Sequence, residues 1–211
     1  MEVNDYQIFL SNASKILLAL NTILFLKGFF IQKKTFKIFN LYLFVCLIIQ
    51  VKSYLLWQDK IDNLYLSHYY FISQFILLSL FYITLFNSKK HKNVVKIISL
   101  LVLLILAIQY YLKPSLYYKF NLLEIVLTSL SIVSFSVVHF YNSLTEKTKY
   151  IYINSGIFVY LTCSTLIFCS GNFFKEGTGN LKNILWLLNT ILYVVYLIFI
   201  FIEWYKNYRK T

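Results

Sequence analysis

Residues 94–112 read VVKIISLLVLLILAIQYYL, and a single charged side chain, Lys96, interrupts this run. A helix needs roughly 17 to 25 apolar residues to cross the hydrocarbon core of a bilayer. A helix is the favoured form because it satisfies its own backbone hydrogen bonds in lipid. Six further runs share these properties, so the sequence predicts seven membrane helices, at residues 14–32, 36–57, 68–87, 94–112, 121–141, 151–172 and 183–204.

The composition of the whole chain agrees with a bilayer location. Of its 211 residues, 59% are hydrophobic and 13% are charged, and the mean hydropathy is +0.67. A soluble domain carries about 25% charged residues, and a chain of this size cannot enclose so much apolar surface in water. The connections between the runs are short, and no internal repeat is present. We therefore expect an all-α polytopic membrane helix bundle, with residues 1–211 forming a single transmembrane domain.

Basic residues are shared unequally between the two predicted faces of the membrane. Twelve lie after the odd-numbered helices and six on the opposite face. Because cytoplasmic loops are enriched in Lys and Arg, this predicts the N-terminus outside and the C-terminus in the cytoplasm. The clusters also account for the net charge of +12, so nucleic acid is not an expected partner. The richer face holds Lys33, Lys34, Lys37, Lys89, Lys90, Lys92, Lys96, Lys147, Lys149, Lys206, Arg209 and Lys210, and the poorer face holds Lys15, Lys60, Lys113, Lys119, Lys175 and Lys182.

No motif in the sequence is typical of catalysis, metal binding or nucleotide binding. The three histidines, His68, His91 and His139, are predicted at different levels of the membrane, which disfavours a metal site built on them. All three cysteines fall within apolar runs, where cysteine is most often a small packing residue. The seventh helix has no interior Lys for a retinal Schiff base, and no phosphate-binding glycine pattern occurs. We therefore predict no catalytic residue, no metal and no cofactor.

Polar side chains concentrate in the predicted outer half of the helices. Ionisable and amide groups are costly in hydrocarbon and often mark functional sites. Glu124 and Lys52 are the acid and the base placed well inside this half, so they can form a pair or hold a zwitterionic ligand together. Scattered interhelical contacts are the alternative interpretation. The predicted ligand-binding residues are Lys52, Tyr54, Tyr70, Gln74, Gln109, Glu124, Thr128 and Asn189.

A step of small residues marks the start of the sixth predicted helix. Asn154, Ser155 and Gly156 follow one another there. Small residues let two helix backbones approach closely. The step therefore predicts a close helix–helix contact.

The last third of the chain contains several short motifs. They are residues 152–160, YINSGIFVY, residues 164–168, STLIF, and Gly171-Asn172. They continue in the spacing of Trp186, Asn189, Tyr193 and Tyr196 and in Ile202-Glu203-Trp204. In these motifs the chain resembles small multi-pass membrane proteins of Bacteroidota. Such proteins accompany sensor histidine kinases in some cases, which implies a signalling role. The resemblance implies no established activity and no functional residues, and it favours a bacterial inner membrane.

Three functions from different classes agree with these patterns. The first is a non-enzymatic sensory or signalling module that binds a small or lipid-derived ligand from the outer side and couples to a protein partner on the cytoplasmic face. The second is a small transporter, channel or substrate-capture subunit, and the third is a structural subunit of a membrane complex. A lipid-modifying enzyme is a further alternative.

Overall fold

The computed structural model describes residues 3–145, 148–173 and 179–209, and it describes the side chains of these residues except at 3–5, 171–173 and 179–182. The fold is all-α and 86% helical, with no strand in these ranges. Of the basic residues used above, Lys147, Lys175 and Lys210 lie outside the described residues, as does the side chain of Lys182. The helices are α1 Val3–Lys27, α2 Lys34–Gln58, α3 Tyr65–Leu85, α4 Lys89–Leu112, α5 Leu122–Ser143, α6 Ile151–Phe173 and α7 Gly179–Asn207, with a 3-10 helix at Pro114–Tyr118.

All seven α-helices of the described ranges are long and apolar enough to span a membrane. On α4 the side chains of Ile97, Leu101, Leu104 and Ile108 are exposed. A soluble protein rarely exposes a contiguous apolar surface of this kind, whereas hydrocarbon solvates it. The chain therefore has the architecture of a multi-pass integral membrane protein, while the orientation of its termini and the identity of the membrane stay predictions.

The first helix differs most from its predicted range. It begins at Val3 rather than near residue 14, and it ends at Lys27 rather than near residue 32. The carbonyl of Gly28 accepts hydrogen bonds from the N–H groups of Ile31 and Gln32, at 3.2 and 2.9 Å. These bonds form a turn in place of a further helical turn, although the residues that follow Gly28 are apolar. The other six helices begin and end within a few residues of the predicted ranges.

The chain divides into two compact units. The central unit is Gly28–Phe135 and holds α2, α3, α4, the 3-10 helix and most of α5. The terminal unit is Met1–Lys27 with Ser136–Thr211 and holds α1, the end of α5, α6 and α7. Whether the chain folds as one domain stays a prediction.

In the central unit α2 and α3 form an antiparallel hairpin. The rings of Phe39 and Phe81 pack with centroids 5.4 Å apart, and both side chains are fully buried. Near the other end of the hairpin, the amide of Asn63 donates to the carbonyl and the hydroxyl of Ser53, each at 2.9 Å. Aromatic packing and side-chain hydrogen bonds thus fix the register of the two helices.

In the terminal unit α6 packs closely on α7, as the small residues of α6 predict. A Cβ built on Gly156 would lie 2.8 Å from Cδ2 of Tyr196 and 3.0 Å from Cβ of Phe199. The ring of Tyr160 stacks on that of Tyr196, at 5.4 Å and 3°. Only glycine allows so close an approach, so the prediction of a close helix–helix contact is confirmed.

Candidate functional site

The site is built around the first turn of α5, in the central unit. Asn121 precedes this helix, and its side-chain oxygen accepts the N–H of Glu124 at 3.4 Å. Asn is a preferred residue at the start of a helix, and a Glu three positions later is typical of a helix N-terminus. The local sequence therefore starts the helix here and places the Glu124 side chain in its first turn, where it is 0% exposed.

The carboxylate of Glu124 is held by groups from two other helices. The Nδ1 atom of His68, on α3, lies 3.2 Å from Oε2 and 3.3 Å from Oε1. The hydroxyl of Tyr110, on α4, donates to Oε2 and lies 2.8 Å from the same Nδ1 atom. A buried carboxylate is costly unless it is paired and hydrogen-bonded. These contacts meet that requirement and join α3, α4 and α5 at one end.

A pair of amides supports this cluster. Gln109 donates to the side-chain oxygen of Asn121, and Asn121 donates back to that of Gln109, both at 3.1 Å. Asn121 also donates to the hydroxyl oxygen of Tyr110 at 3.2 Å. The end of α4 and the start of α5 are thereby fixed relative to each other, and Tyr110 is oriented with its proton towards Glu124.

The donors and acceptors around His68 indicate which of its ring nitrogens carries a hydrogen. When Glu124 is ionised, both of its oxygens can only accept, and the Tyr110 oxygen has already directed its proton to the carboxylate. The Nδ1 atom therefore carries a hydrogen. In the described part of the chain, the buried Nε2 atom has no hydrogen-bond partner. A buried polar atom without a partner calls for a water molecule or a ligand.

The 3-10 helix adds an aromatic wall. Pro114 stands at its start, where the fixed φ of proline is suited to a helix. Tyr117 stacks on the ring of His68 at 6.0 Å and 29°, and its hydroxyl lies 2.9 Å from that of Tyr69. This hydrogen bond is the main cause that raises the pKa of Tyr117 to about 12, so its hydroxyl is uncharged at neutral pH.

A cleft of about 380 Å³ lies beside this wall. Its size is near the lower end of the range for small-molecule sites, which is about 300 to 1,000 Å³. Its accessible surface is almost entirely apolar, although a histidine and three tyrosines contribute to it. The lining residues are His68, Tyr69, Ile72, Ser73, Ile76, Tyr110 and Tyr117.

Two of the predicted ligand-binding residues belong to this cluster, and a third contacts its backbone. Glu124 is the central carboxylate and Gln109 is one of the supporting amides. The hydroxyl of Thr128 donates to the main-chain oxygen of Glu124 at 2.7 Å, which places it one turn further along α5. The sequence thus predicts the acid and one amide of the cluster.

Lys52 does not pair with Glu124. Its side chain is exposed, and among the described residues the Glu124 carboxylate instead contacts Nδ1 of His68 at 3.2 Å. The Lys52–Glu124 pair that the sequence suggests is thus not formed. His68 and Tyr110 contact the Glu124 carboxylate in its place. Tyr54 lies on the same helix as Lys52, and its hydroxyl oxygen accepts from the side-chain amide of Gln58 at 2.8 Å.

The remaining predicted residues make other contacts. The amide of Gln74 donates to the hydroxyl of Tyr42 at 3.1 Å and to that of Tyr70 at 3.3 Å. Asn189 belongs to the terminal unit, where it accepts a hydrogen bond of 2.7 Å from Ser164. Both arrangements satisfy polar groups between helices, which is a packing role.

Sequence reasoning missed His68 as the partner of Glu124. His68 is the first residue of a predicted helix and Tyr110 lies near the end of another, so the sequence alone singles out neither of them as part of a site. One signal was present: α3 begins, α4 ends and α5 begins at the same face in an alternating topology. His68, Tyr110 and Glu124 therefore share a depth, and an acid and a histidine at one depth are natural partners.

A second buried acid, Glu203, is structural. Its carboxylate accepts the main-chain N–H of Tyr152, in the first turn of α6, at 3.1 Å and the side-chain amide of Asn207 at 2.7 Å. The first N–H groups of a helix have no partner within that helix. Glu203 therefore caps α6 from α7, and this contact requires no ligand.

No protein family, curated protein or solved structure matches the chain. The residues of the central unit therefore carry the functional argument alone.

Proposed function

We propose that this protein is a membrane-embedded sensory module that binds a small molecule in the cleft beside His68 and couples its occupancy to a protein partner. The observation that carries the proposal is the buried Glu124–His68–Tyr110 cluster. Ionisable groups within a membrane helix are costly and are usually kept for a function. Here they stand beside a cleft of about 380 Å³ and leave Nε2 of His68 without a partner in the described residues.

One feature supports binding at the outer face, and a second supports output at the cytoplasmic face. The cleft lies where α3 begins and α4 ends, which is the face that the distribution of Lys and Arg predicts to be outside. Output through a cytoplasmic partner accords with the resemblance to proteins that accompany sensor histidine kinases. The proposal therefore has two parts, a ligand at one face and a partner at the other.

The test is native mass spectrometry of the protein extracted gently from the membranes of its own host. We expect the wild-type chain to carry a small molecule of defined mass and a stoichiometric protein partner. His68→Phe should lose the small molecule, because it removes Nε2, the ring nitrogen that has no partner among the described residues. His91→Phe is the matched control, since His91 also faces an aromatic ring, that of Phe86 at 5.7 Å, but lies at the start of α4.

Two outcomes would contradict the proposal. A wild-type chain that carries neither a small molecule nor a partner argues against both parts. A small molecule that both histidine variants retain argues that the cleft beside His68 does not hold it.

General acid–base chemistry on the bound molecule is a second candidate function. Glu124 contacts Nδ1 of His68, and Nε2 has no partner among the described residues. In hydrolases a carboxylate orients a histidine base through the same nitrogen. The readout is turnover, seen as a product whose mass differs from that of the bound molecule. Formation of that product by the wild type, and its loss in His68→Gln and Glu124→Gln, would favour this function over sensing.

A further inference from the structure

We propose that one end of the central unit, where α2 and α4 begin, binds the phosphate groups of anionic phospholipids. This inference goes beyond the proposed function, because the cleft lies near the opposite end of α3. It rests on a one-sided distribution of charge, on lysines that the protein leaves without ion pairs, and on an apolar stripe beside them. We call this end the lysine end, and its lysines are Lys33, Lys34, Lys37, Lys89, Lys90, Lys92 and Lys96.

Three helices bring these lysines to the same end of the central unit. The hydroxyl of Thr35, in the first turn of α2, donates to the main-chain oxygen of Thr84 at 3.3 Å. This hydrogen bond joins the start of α2 to the end of α3. Since α3 ends at Leu85 and α4 begins at Lys89, the short connection keeps the lysines of α4 at that end as well.

The lysine end has no acidic residue. The central unit is described throughout, and its three acids, Asp59, Asp62 and Glu124, lie where α2 ends and where α3 and α5 begin, which is the opposite end. The enrichment of Lys in cytoplasmic loops is a rule of membrane insertion to which Asp and Glu contribute little. Insertion therefore accounts for the lysines but not for the absence of acids among them. A negatively charged partner accounts for both.

The protein does not neutralise the charge of the lysine end. Among the described residues, none of its seven lysines forms an ion pair, and Lys33, Lys34, Lys89 and Lys90 are exposed. Both α2 and α4 begin here, and the N-terminus of a helix adds partial positive charge. Like charges held together repel one another, so anions bound among these lysines stabilise this end of the fold.

An apolar stripe on α4 favours a phospholipid over a soluble anion or an acidic protein segment. Val94, Ile97 and Leu101 follow Lys90 by four, seven and eleven positions, so the four residues share one face of the helix, and all of them are exposed. At about 1.5 Å per residue the stripe is about 16 Å long, which is about half of a hydrocarbon core of about 30 Å. A phospholipid matches this order, with its phosphate at Lys90 and an acyl chain along the apolar residues.

The experiment is native mass spectrometry of the full chain, purified in detergent and titrated with a phospholipid. The two probes are phosphatidylglycerol and phosphatidylcholine with the same acyl chains, and the number of bound lipids at each concentration gives the affinity for each. We expect phosphatidylglycerol to bind at least about fivefold more tightly, the effect of a single lysine close to an anionic membrane surface. This preference should decrease at a higher concentration of ammonium acetate, because salt screens exposed charges.

Two triple variants test the position of the lipid. Each changes three exposed lysines to glutamine, with Lys34→Gln, Lys89→Gln and Lys90→Gln at the lysine end, and Lys60→Gln, Lys113→Gln and Lys119→Gln as the matched control at the opposite end of the same unit. We expect the preference for phosphatidylglycerol to fall about fivefold or more in the first variant and to be retained in the control. The salt dependence of the wild type keeps the inference falsifiable if the first variant does not fold.

Three outcomes would overturn the inference. The first is equal binding of the two lipids by the wild type. The second is an equal loss of preference in both triple variants, which would place the anionic lipid elsewhere. The third is a stoichiometric acidic protein, found on the chain from its own host, that only the lysine-end variant loses while its preference for phosphatidylglycerol is unchanged. None of these results bears on the cleft, whose ligand is tested by His68→Phe.

Discussion

His68, Tyr110 and Glu124 satisfy one another in a setting where water is scarce. A buried hydrogen bond contributes a modest net stabilisation, but a donor left without its acceptor costs more. The cluster is therefore stable only as a set, and removal of one member affects the other two. This interdependence allows the contribution of each residue to be measured.

Glu124→Ala should destabilise the protein by about 1–3 kcal/mol, because it leaves the hydrogen-bond donors of His68 and Tyr110 unpaired. Glu124→Gln should cost less, since its amide oxygen still accepts one of these bonds. Thermal unfolding in detergent measures both, with Asp59→Ala as an exposed control. Equal midpoints for Glu124→Ala and the control would show that the cluster does not stabilise the fold.

The hydroxyl of Tyr117 should ionise only at strongly alkaline pH, with a pKa of about 12, chiefly because of its hydrogen bond to Tyr69. The folded pKa lies above the ordinary value of about 10. The associated stability is therefore fully present below about pH 10 and is lost as the pH rises through about 12.

Tyr69→Phe should move the ionisation of Tyr117 back towards about 10. The ultraviolet difference spectrum between each protein and its Tyr117→Phe counterpart isolates this one tyrosine. An ionisation of Tyr117 that Tyr69→Phe leaves unchanged would mean that the hydroxyl pair does not form.

The limits of sequence reasoning are clearest for these residues. Glu124 and Gln109 could be selected because a polar side chain in an apolar run is conspicuous. The choice of His68 rather than Lys52 as the partner of Glu124 depends on how each helix is rotated about its axis. A soluble helix shows that rotation through its apolar stripe, but a membrane helix is apolar on all sides, so the sequence carries little information about it.

The positions of the helices follow from the amino-acid composition more directly than the contacts of single residues do. Six of the seven helices of the described ranges begin and end within a few residues of their predicted ranges, because a bilayer requires a minimum apolar length. The first helix differs because its early turns contain Asp5, Ser11 and Asn12, which lower the hydropathy while leaving the helix intact. Its end at Lys27 reflects the turn at Gly28, which hydropathy does not show.

The contact between α6 and α7 should respond to one methyl group. In Gly156→Ala the new Cβ would lie 2.8 Å from the ring of Tyr196, so we expect a loss of stability of about 1–3 kcal/mol from overpacking. Ser155→Ala is the matched control, because among the described residues the Ser155 hydroxyl bonds within its own helix, to the carbonyl of Ile151. Unfolding in detergent that does not distinguish the two variants would exclude a close approach at Gly156.

The start of α6 should depend on Glu203 from α7. Glu203→Ala removes the acceptor for the N–H of Tyr152 and should cost about 1–2 kcal/mol, the usual effect of losing a helix cap. Glu203→Gln retains an oxygen acceptor and should restore most of the loss. Hydrogen exchange of the first turn of α6 is the direct measurement, and protection that is unchanged in Glu203→Ala would refute the capping role.

At the scale of the whole molecule, the orientation is the prediction that most affects the function. Cysteine introduced at Lys60, between α2 and α3, should react with a membrane-impermeant maleimide in intact cells. Cysteine at Lys90, near the start of α4, should react only after the cells are permeabilised. The reverse pattern would place the cleft at the cytoplasmic face, where a ligand from outside could not reach it.

The cap that Glu203 provides for α6 also has a consequence for the order of events during synthesis. The two partners, Tyr152 and Glu203, are 51 positions apart. A ribosome adds about 5–20 residues per second, so the first turn of α6 is made seconds before its acceptor exists. During that interval the first N–H groups of α6 must bond to water, lipid headgroups or the translocation machinery. Once α7 has been made, Glu203 replaces these partners.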